Sequence, residues 1–241
     1  MARWIKTIEK GLEWYEKSGC FPHSKGKGGV YEGFTSEFGP QGEKYLKRDD
    51  YLGHVCKRAD CTADSAFAFF ISSRISHEDL SANSEQTKDK EKLINKWKQT
   101  GKNLYQDLFE YWQHYDNANG LERGFFGWFN DYYNHHVYYS DDNGRCALLA
   151  LLYGIIGENS EAIKRGMAGA VALYKTLGEN GHRFTRIDLP HFYRRTFIGK
   201  RRGRKWYRKH NTRKSEYKSP HYEGWTYAAI LYCGWLTGNQ A

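Results

Sequence analysis

The chain has 241 residues, of which 39% are hydrophobic and 17% aromatic, so it has a globular composition and can bury a substantial core. Its net charge of +9 is unevenly distributed, because residues 189–215 contain 11 Lys or Arg and no acidic residue, whereas the remainder carries 26 basic and 28 acidic residues. The charge therefore excludes a uniformly basic protein and predicts a basic loop insertion at 189–215 within a single domain spanning 1–241.

No membrane-spanning or secretory segment is predicted. The start at Met1 lacks the apolar stretch of a signal peptide, and no apolar run approaches the roughly 20 residues that span a bilayer. The five cysteines form no CxxC pair, which fits a reduced compartment. We therefore expect a cytoplasmic protein if Met1 is the natural start, with a disulfide between Cys56 and Cys61 as the alternative in an oxidising compartment.

Apolar residues spaced three and four apart predict six helices. In chain order, these apolar positions fall within residues 5–15, 63–74, 93–115, 148–156, 163–177 and 225–236. The second helix is expected to begin just after Asp60. Gly101 is expected to kink the third, and Gly157 and Gly178 to end the fourth and fifth.

The connections between these helices alternate in length. Residues 18–60, 116–140 and 178–220 form long connections rich in aromatic residues and glycine, whereas 157–160 is a tight turn. Long loops without regular structure are usually functional or disordered, and we interpret these as ordered binding loops. The alternation predicts an all-α fold, a partial α/α toroid of about three antiparallel helix pairs, with the long loops on one face and the even-numbered helices inside. Short strands, for example at 29–34, would lie within the loops.

A compact polar cluster opens each even-numbered helix. The clusters are Lys57–Cys61, Ser140–Arg145 and Pro220–Trp225. Unpaired backbone N–H groups and the positive end of the helix dipole occur at helix starts, where they favour acidic side chains and ligands. We therefore expect the three clusters to meet around one cavity.

A set of short segments gives the chain a family resemblance. These segments are Gly28–Gly33, Arg58–Asp64, Tyr138–Arg145, His221–Trp225 and Leu236–Gly238. Through them the chain resembles the six-hairpin, or (α/α)6-barrel, glycosidases, especially those grouped around unsaturated glucuronyl hydrolases and their uncharacterised relatives. Since such a toroid has six hairpins, the resemblance implies its N-terminal half. The uncovered apolar flanks of a half-toroid predict a second half-barrel, from a C-terminal continuation or from another chain.

The predicted chemistry is hydrolysis of a glycosidic bond, which needs one carboxylic acid to protonate the leaving oxygen and a second carboxylate to activate water or attack carbon. Asp141 or Asp142 is the predicted acid or base, while the other caps the fourth helix. Asp60 or Glu223 is expected opposite, with Glu32 as a weaker choice. The structural alternatives are that Asp60 is an N-cap and that Glu223 interacts only with the helix dipole.

Arginine and aromatic residues near these carboxylates are the predicted substrate-binding groups. Arg58 and Arg145 are expected to orient the carboxylates or to hold a uronate carboxylate, with ordinary ion pairs as the alternative. His221 is expected to hydrogen-bond a sugar hydroxyl. The candidates for stacking on a sugar ring are Trp128, Tyr138, Trp225, Phe125, Phe126 and Tyr132, although packing in the core competes for them.

The sequence predicts no cofactor and no metal, because His135, His136 and His191 lack ligand spacing with partners. The expected partner is an oligosaccharide or polysaccharide, including uronate-containing glycans, and no membrane. A lyase is the second choice of reaction. The alternatives to an enzyme are a non-catalytic glycan-binding or scaffold half-domain and nucleic-acid binding through Arg194–Lys214, which we rank lower.

Overall fold

A computed structural model describes residues 2–18, 20–32, 57–80, 87–115, 122–128, 136–179, 181–188 and 220–239. Among these residues the fold is all-α, which confirms the predicted class. The helices are α1 (Ala2–Ser18), α2 (Ala59–Leu80), α3 (Thr87–Asp107), α4 (Ser140–Ile156), α5 (Ser160–Lys175) and α6 (Pro220–Thr237). Smaller elements are a 3-10 turn (Ser24–Gly26), a π-helical turn (Leu108–Trp112) and strands β1 (Val137–Tyr139) and β2 (Arg186–Asp188). None of the described helices is long and apolar enough to cross a membrane.

The chain divides into two compact units, Met1–Leu108 and Phe109–Ala241. We call these unit 1 and unit 2 and describe each by itself. The single domain and the toroidal arrangement of helix pairs stay predictions. The basic insertion at 189–215 lies outside the described residues, as do the central parts of the other long connections.

Unit 1 is built on the packing of α2 along α3, with α1 touching α2. Its core contains Phe69 and Phe70 from α2 and Trp97, Leu104 and Tyr105 from α3. Burial of aromatic side chains of this size supplies a large part of a domain's stability. The face shared by these two helices is therefore the centre of unit 1.

Gly101 packs against α2, which gives this glycine a role that the sequence analysis did not predict, while the predicted kink stays a prediction. The α3 helix continues through this position to Asp107. A Cβ atom at residue 101 would lie 3.0 Å from the Phe70 backbone nitrogen and 3.1 Å from the Ala66 carbonyl oxygen. Glycine is needed here because the two helix backbones come together, and this close approach requires no bend in α3.

Unit 2 has α4 at its centre, with α5 and α6 both packed against it. The core between them contains Phe125, Tyr138, Ala147, Leu173 and Ala229. Asn159 caps α5, since its side-chain oxygen accepts a hydrogen bond from Ala162 N at 3.1 Å. Enclosed by both neighbours, α4 is buried from its first turn almost to its end.

Strands β1 and β2 form an antiparallel pair in which Tyr138 lies opposite Ile187. Because β1 ends at Tyr139 and α4 begins at Ser140, the strand pair fixes the point at which α4 starts. The Ser140 backbone N–H donates to Thr185 O at 2.9 Å, so the first helical residue is also tied to the segment before β2. The polar cluster at the start of α4 is thus held from two sides.

Candidate functional site

In unit 1, Arg58 holds two acidic side chains at the start of α2. Its Nε and Nη2 atoms lie 3.0 and 3.1 Å from the two carboxylate oxygens of Asp60, and its Nη1 contacts Glu32. Asp60 is buried and Arg58 is mostly buried. The Nη2 contact is a hydrogen bond, and the Nε contact is an ion pair at hydrogen-bond distance. Arg58 therefore pairs with Asp60 and Glu32, and whether it also orients them for catalysis stays a prediction.

Asp60 is not the N-cap of α2, because the helix begins at Ala59 and Asp60 lies in its first turn. The carboxylate faces Arg58, while the Thr62 hydroxyl donates to Arg58 O at 2.8 Å and accepts from Val30 N at 3.2 Å. Two segments of unit 1, 20–32 and 57–80, are joined here. That Asp60 shares a cavity with the acidic residues of unit 2 stays a prediction.

In unit 2, the structure brings the second and third polar clusters together, because the first turns of α4 and α6 lie side by side. The Thr226 hydroxyl donates to Ser140 O at 3.1 Å. A Cβ atom at Gly144 would lie 2.5 Å from the carbonyl carbon of Trp225, so the two helix backbones are nearly in contact. Two sets of backbone N–H groups therefore point toward the same region.

Asp141 and His221 make a direct contact between these two clusters. Asp141 Oδ2 lies 2.8 Å from His221 Nε2. Asp141 is 6% exposed, whereas the His221 side chain is 54% exposed. The other oxygen, Asp141 Oδ1, is buried and has no hydrogen-bond partner among the residues that the structure describes. Asp142, the next residue, is 2% exposed.

Neither aspartate caps α4, which corrects the prediction that one of them does. Tyr139 occupies the N-cap position without a side-chain cap, and both aspartates lie in the first helical turn. The cap is unnecessary because β1 runs directly into the helix and Thr185 O accepts from the Ser140 N–H. Both carboxylates instead lie at the positive end of the helix dipole, where negative charge is favoured.

Glu223 faces away from this contact. Its carboxylate lies 3.1 Å from His182 Nδ1, and both side chains are partly exposed. Residues two apart on a helix project in different directions, so His221 and Glu223 cannot share one face of α6. Glu223 also raises the pKa of the Tyr227 phenol, although burial of that phenol is the larger cause.

The predicted aromatic residues divide between surface and core. The Arg145 guanidinium lies 5.2 Å from the centre of the Trp225 ring, and Trp128 packs edge-on against Tyr139 at 4.9 Å. Both tryptophans are partly exposed. In contrast, Tyr138 is fully buried and stacks on Phe125 at 4.8 Å, which argues against the predicted contact of Tyr138 with a ligand.

Phe126 is also fully buried, and Tyr132 lies outside the described residues.

Asn143 is a positioning residue that the sequence analysis did not single out. It is fully buried, its Nδ2 donates to Phe126 O at 3.0 Å and to Tyr139 O at 2.9 Å, and its Oδ1 accepts from Phe126 N at 2.7 Å. The side chain thus ties the 122–128 segment to the start of α4. The sequence signal for this role was the asparagine directly after the paired aspartates, because an asparagine amide can both donate and accept hydrogen bonds.

A second cluster in unit 2 contains His114, Glu122 and His136. One donor atom from each residue lies within 4.8 Å of the other two, and all three residues are partly buried. Burial raises the pKa of the Glu122 carboxyl, and His136 partly opposes that shift. The sequence analysis considered His136 but missed this cluster, because its members come from three separate segments with no helical spacing.

Comparison with known proteins identifies no relative, since no protein-family model, no curated protein and no solved structure matches the chain. The resemblance to the six-hairpin glycosidases therefore stays a prediction.

Proposed function

We propose that the chain is a carbohydrate-active hydrolase, with its acid/base chemistry centred on Asp141. The observation that carries this proposal is the Asp141–His221 contact, in which a buried carboxylate at the start of α4 meets a half-exposed imidazole at the start of α6. The neighbouring Asp142 supplies a further carboxylate. Acidic and imidazole side chains are the usual groups for moving a proton at neutral pH.

The two oxygens of Asp141 support different roles. Oδ2 is held by His221, which fixes the orientation of the carboxylate, while Oδ1 has no partner within the described part of the chain. A positioned carboxyl oxygen of this kind can protonate a leaving oxygen or accept a proton from water. We therefore assign proton transfer to Asp141 and positioning to His221.

The sequence predicts the second carboxylate at Asp60 or Glu223, because Asp142 directly follows Asp141 and cannot lie on the opposite side of the bond. Glu223 is disfavoured because it pairs with His182 and projects from a different face of α6 than His221 does. Asp60 belongs to unit 1, where it pairs with Arg58, and its role opposite Asp141 stays a prediction. Asp60→Asn and Glu223→Gln variants test the two candidates.

Arg145 and Trp225 support a glycan, in particular a uronate-containing one, as the substrate. An aromatic ring presents the flat apolar surface on which the C–H face of a sugar packs. An arginine guanidinium is planar, and its N–H groups suit a two-point contact with a carboxylate. The contact at 5.2 Å between these side chains places both properties at the start of α4 and α6.

The test is turnover by the full chain on a panel of neutral and uronate-containing oligosaccharides. We expect new reducing ends without a gain in ultraviolet absorbance, and a loss of turnover by about 100-fold or more in Asp141→Asn with glycan binding retained. Glu161→Gln, which removes an exposed carboxylate on α5, is the matched control and should leave turnover unchanged. Unchanged turnover in both Asp141→Asn and Asp142→Asn would contradict the proposal.

The alternative functions stay predictions, and the same panel of oligosaccharides distinguishes them from a hydrolase. Glycan binding without product would indicate a binding or scaffold half-domain, and a gain in ultraviolet absorbance would indicate a lyase. Nucleic-acid binding through Arg194–Lys214, which lies outside the described residues, would have a steep dependence on salt concentration and would be indifferent to the Asp141 and Asp142 variants.

A further inference from the structure

His114, Glu122 and His136 form a group of donors suited to a metal ion. Their three donor atoms lie within 4.8 Å of one another. His136 Nδ1 and Glu122 Oε1 are 3.4 Å apart, which is longer than an ordinary N–H···O hydrogen bond of about 2.7–3.2 Å. Two donors each about 2.1 Å from a tetrahedral zinc ion are about 3.4 Å apart, so this separation matches the edge of a zinc coordination tetrahedron.

Backbone hydrogen bonds fix the positions from which the three side chains project. His114 N donates to Phe125 O at 2.8 Å, and Gly124 N donates to His114 O at 2.7 Å. Phe125 N in turn donates to Glu122 O at 3.0 Å, and His136 directly precedes β1. The backbone of His114 and Glu122 is therefore fixed by hydrogen bonds between segments 87–115 and 122–128, and His136 is fixed by its position before a paired strand.

The imidazole rings of His114 and His136 pack against each other and against a buried aromatic ring. The His114 ring lies 5.0 Å from the His136 ring and packs edge-on against the fully buried Tyr138 ring at 5.5 Å. The His136 and Glu122 side chains are 39% and 21% exposed, so an ion could reach them from solvent. The site is accessible, yet it rests on the core of unit 2.

We propose that His114, Glu122 and His136 bind one divalent transition-metal ion, with Zn²⁺ as the preferred ion. Two imidazole nitrogens and one carboxylate oxygen form a common three-residue ligand set for zinc, with water as the fourth ligand. Ca²⁺ and Mg²⁺ prefer sets made of oxygen atoms, which argues against them. The ion joins the segment after α3, the 122–128 segment and the residue before β1. The three ligands do not include Asp141 or His221, so the proposal does not depend on the proposed hydrolase function.

The experiment measures metal binding by the untagged full chain after removal of metal with a chelator. We expect one Zn²⁺ per chain by calorimetry, a rise in the melting temperature on adding Zn²⁺, and no comparable rise with Mg²⁺ or Ca²⁺. Co²⁺ should give the visible absorption of a site with nitrogen and oxygen ligands. A sulfur-to-metal absorption band would overturn the assignment, since it would place the ion on the cysteines.

The variants His114→Ala, Glu122→Gln and His136→Ala should each weaken Zn²⁺ binding by about 10-fold or more. His182→Ala is the matched control, because His182 belongs to the other histidine–glutamate pair of unit 2 and should leave binding unchanged. His114→Ala is decisive, since an ordinary ion pair between His136 and Glu122 does not involve His114. Absence of 1:1 binding in the wild-type chain, or binding that survives in all three variants, would overturn the proposal.

Discussion

Gly144 on α4 lies against the Trp225 peptide on α6, so that a Cβ atom at residue 144 would be 2.5 Å from the Trp225 carbonyl carbon and 2.6 Å from its oxygen. Real Cβ atoms do not approach a backbone this closely. The contact fixes how near the two helices come, and it thereby sets the distance over which Asp141 and His221 meet.

The first prediction is that Gly144→Ala destabilises the protein. Alanine has the better helix propensity by about 1 kcal/mol, but separating two packed backbones costs about 1–3 kcal/mol or more, so the net free energy of unfolding should fall. Chemical denaturation measures this change. Gly224→Ala is the control, because a Cβ there meets nothing within 4 Å. An equal effect of the two substitutions would show that α4 and α6 are not in close contact.

The second prediction concerns Asn143, whose side chain makes three hydrogen bonds to the backbone, two of them buried. Asn143→Ala should lower the free energy of unfolding by at least about 2 kcal/mol, since each buried group left without a partner costs about 1–3 kcal/mol. Asn159→Ala, which removes one N-cap hydrogen bond of α5, should cost only about 1 kcal/mol. A smaller loss at Asn143 than at Asn159 would contradict the structure.

The third prediction concerns the pH dependence contributed by Cys61. Burial first and Asp60 second raise the pKa of this thiol from its ordinary 9.0, while Arg58 lowers it. The folded protein therefore keeps the proton that the unfolded chain loses near pH 9, so this contribution to stability is full below pH 9 and is lost as pH rises further. Cys61→Ser should reduce the fall in unfolding free energy above pH 9.

Alkylation kinetics check the cause of that shift. Asp60→Asn should speed the reaction of Cys61 with iodoacetamide at a given alkaline pH, because it removes a negative charge that disfavours the thiolate. Cys233 is the internal control, since burial alone raises the pKa of its thiol. A change at Cys233 of the same size would indicate general loosening of the fold.

The fourth prediction follows from the exposed apolar side chains of α6, where Leu231 and Trp235 are 70% and 73% exposed. Leu231 borders an apolar groove together with Val171 and Tyr174 of α5, and Trp235 follows one helical turn later on α6. We expect concentration-dependent association in sedimentation velocity, and a shift toward monomer in Leu231→Ser combined with Trp235→Ser. The double variant should keep the wild-type melting temperature, since neither side chain is buried. A wild-type chain that stays monomeric would disprove this expectation.

The helices were predictable from sequence, whereas the contacts between them were only partly so. Apolar spacing locates α4 and α6 and their polar first turns, which is why Asp141 and His221 could be named as site residues. Their pairing depends on how one helix is rotated against the other. The Gly144 contact sets this rotation, and the spacing of apolar residues in the sequence does not predict it. Gly101 shows the same limit of sequence analysis, because glycine is expected both at a helix kink and at a close contact between two helices.

The proposed metal ligands could not be predicted from the sequence for a different reason. His114, Glu122 and His136 are brought together by loop hydrogen bonds and by the strand pair, and neither has a periodic pattern in the sequence. Tyr138 was misjudged because an aromatic residue beside a polar cluster looks the same in sequence whether its ring faces solvent or Phe125. The way β1 runs in the folded unit decides whether the Tyr138 ring faces solvent or the core.

The connectivity of unit 2 also bears on the order in which it folds. A tight turn joins α4 to α5, so these helices can pair locally, whereas the hydrogen bond from Thr226 to Ser140 closes a separation of 86 residues. Contacts between residues distant in the chain form late, because their loop-closure entropy must be overcome first. During synthesis the aspartates of α4 would therefore stay hydrated until α6 emerges and docks, and a nascent chain stalled before Pro220 would present an unfinished α4–α5 surface to chaperones.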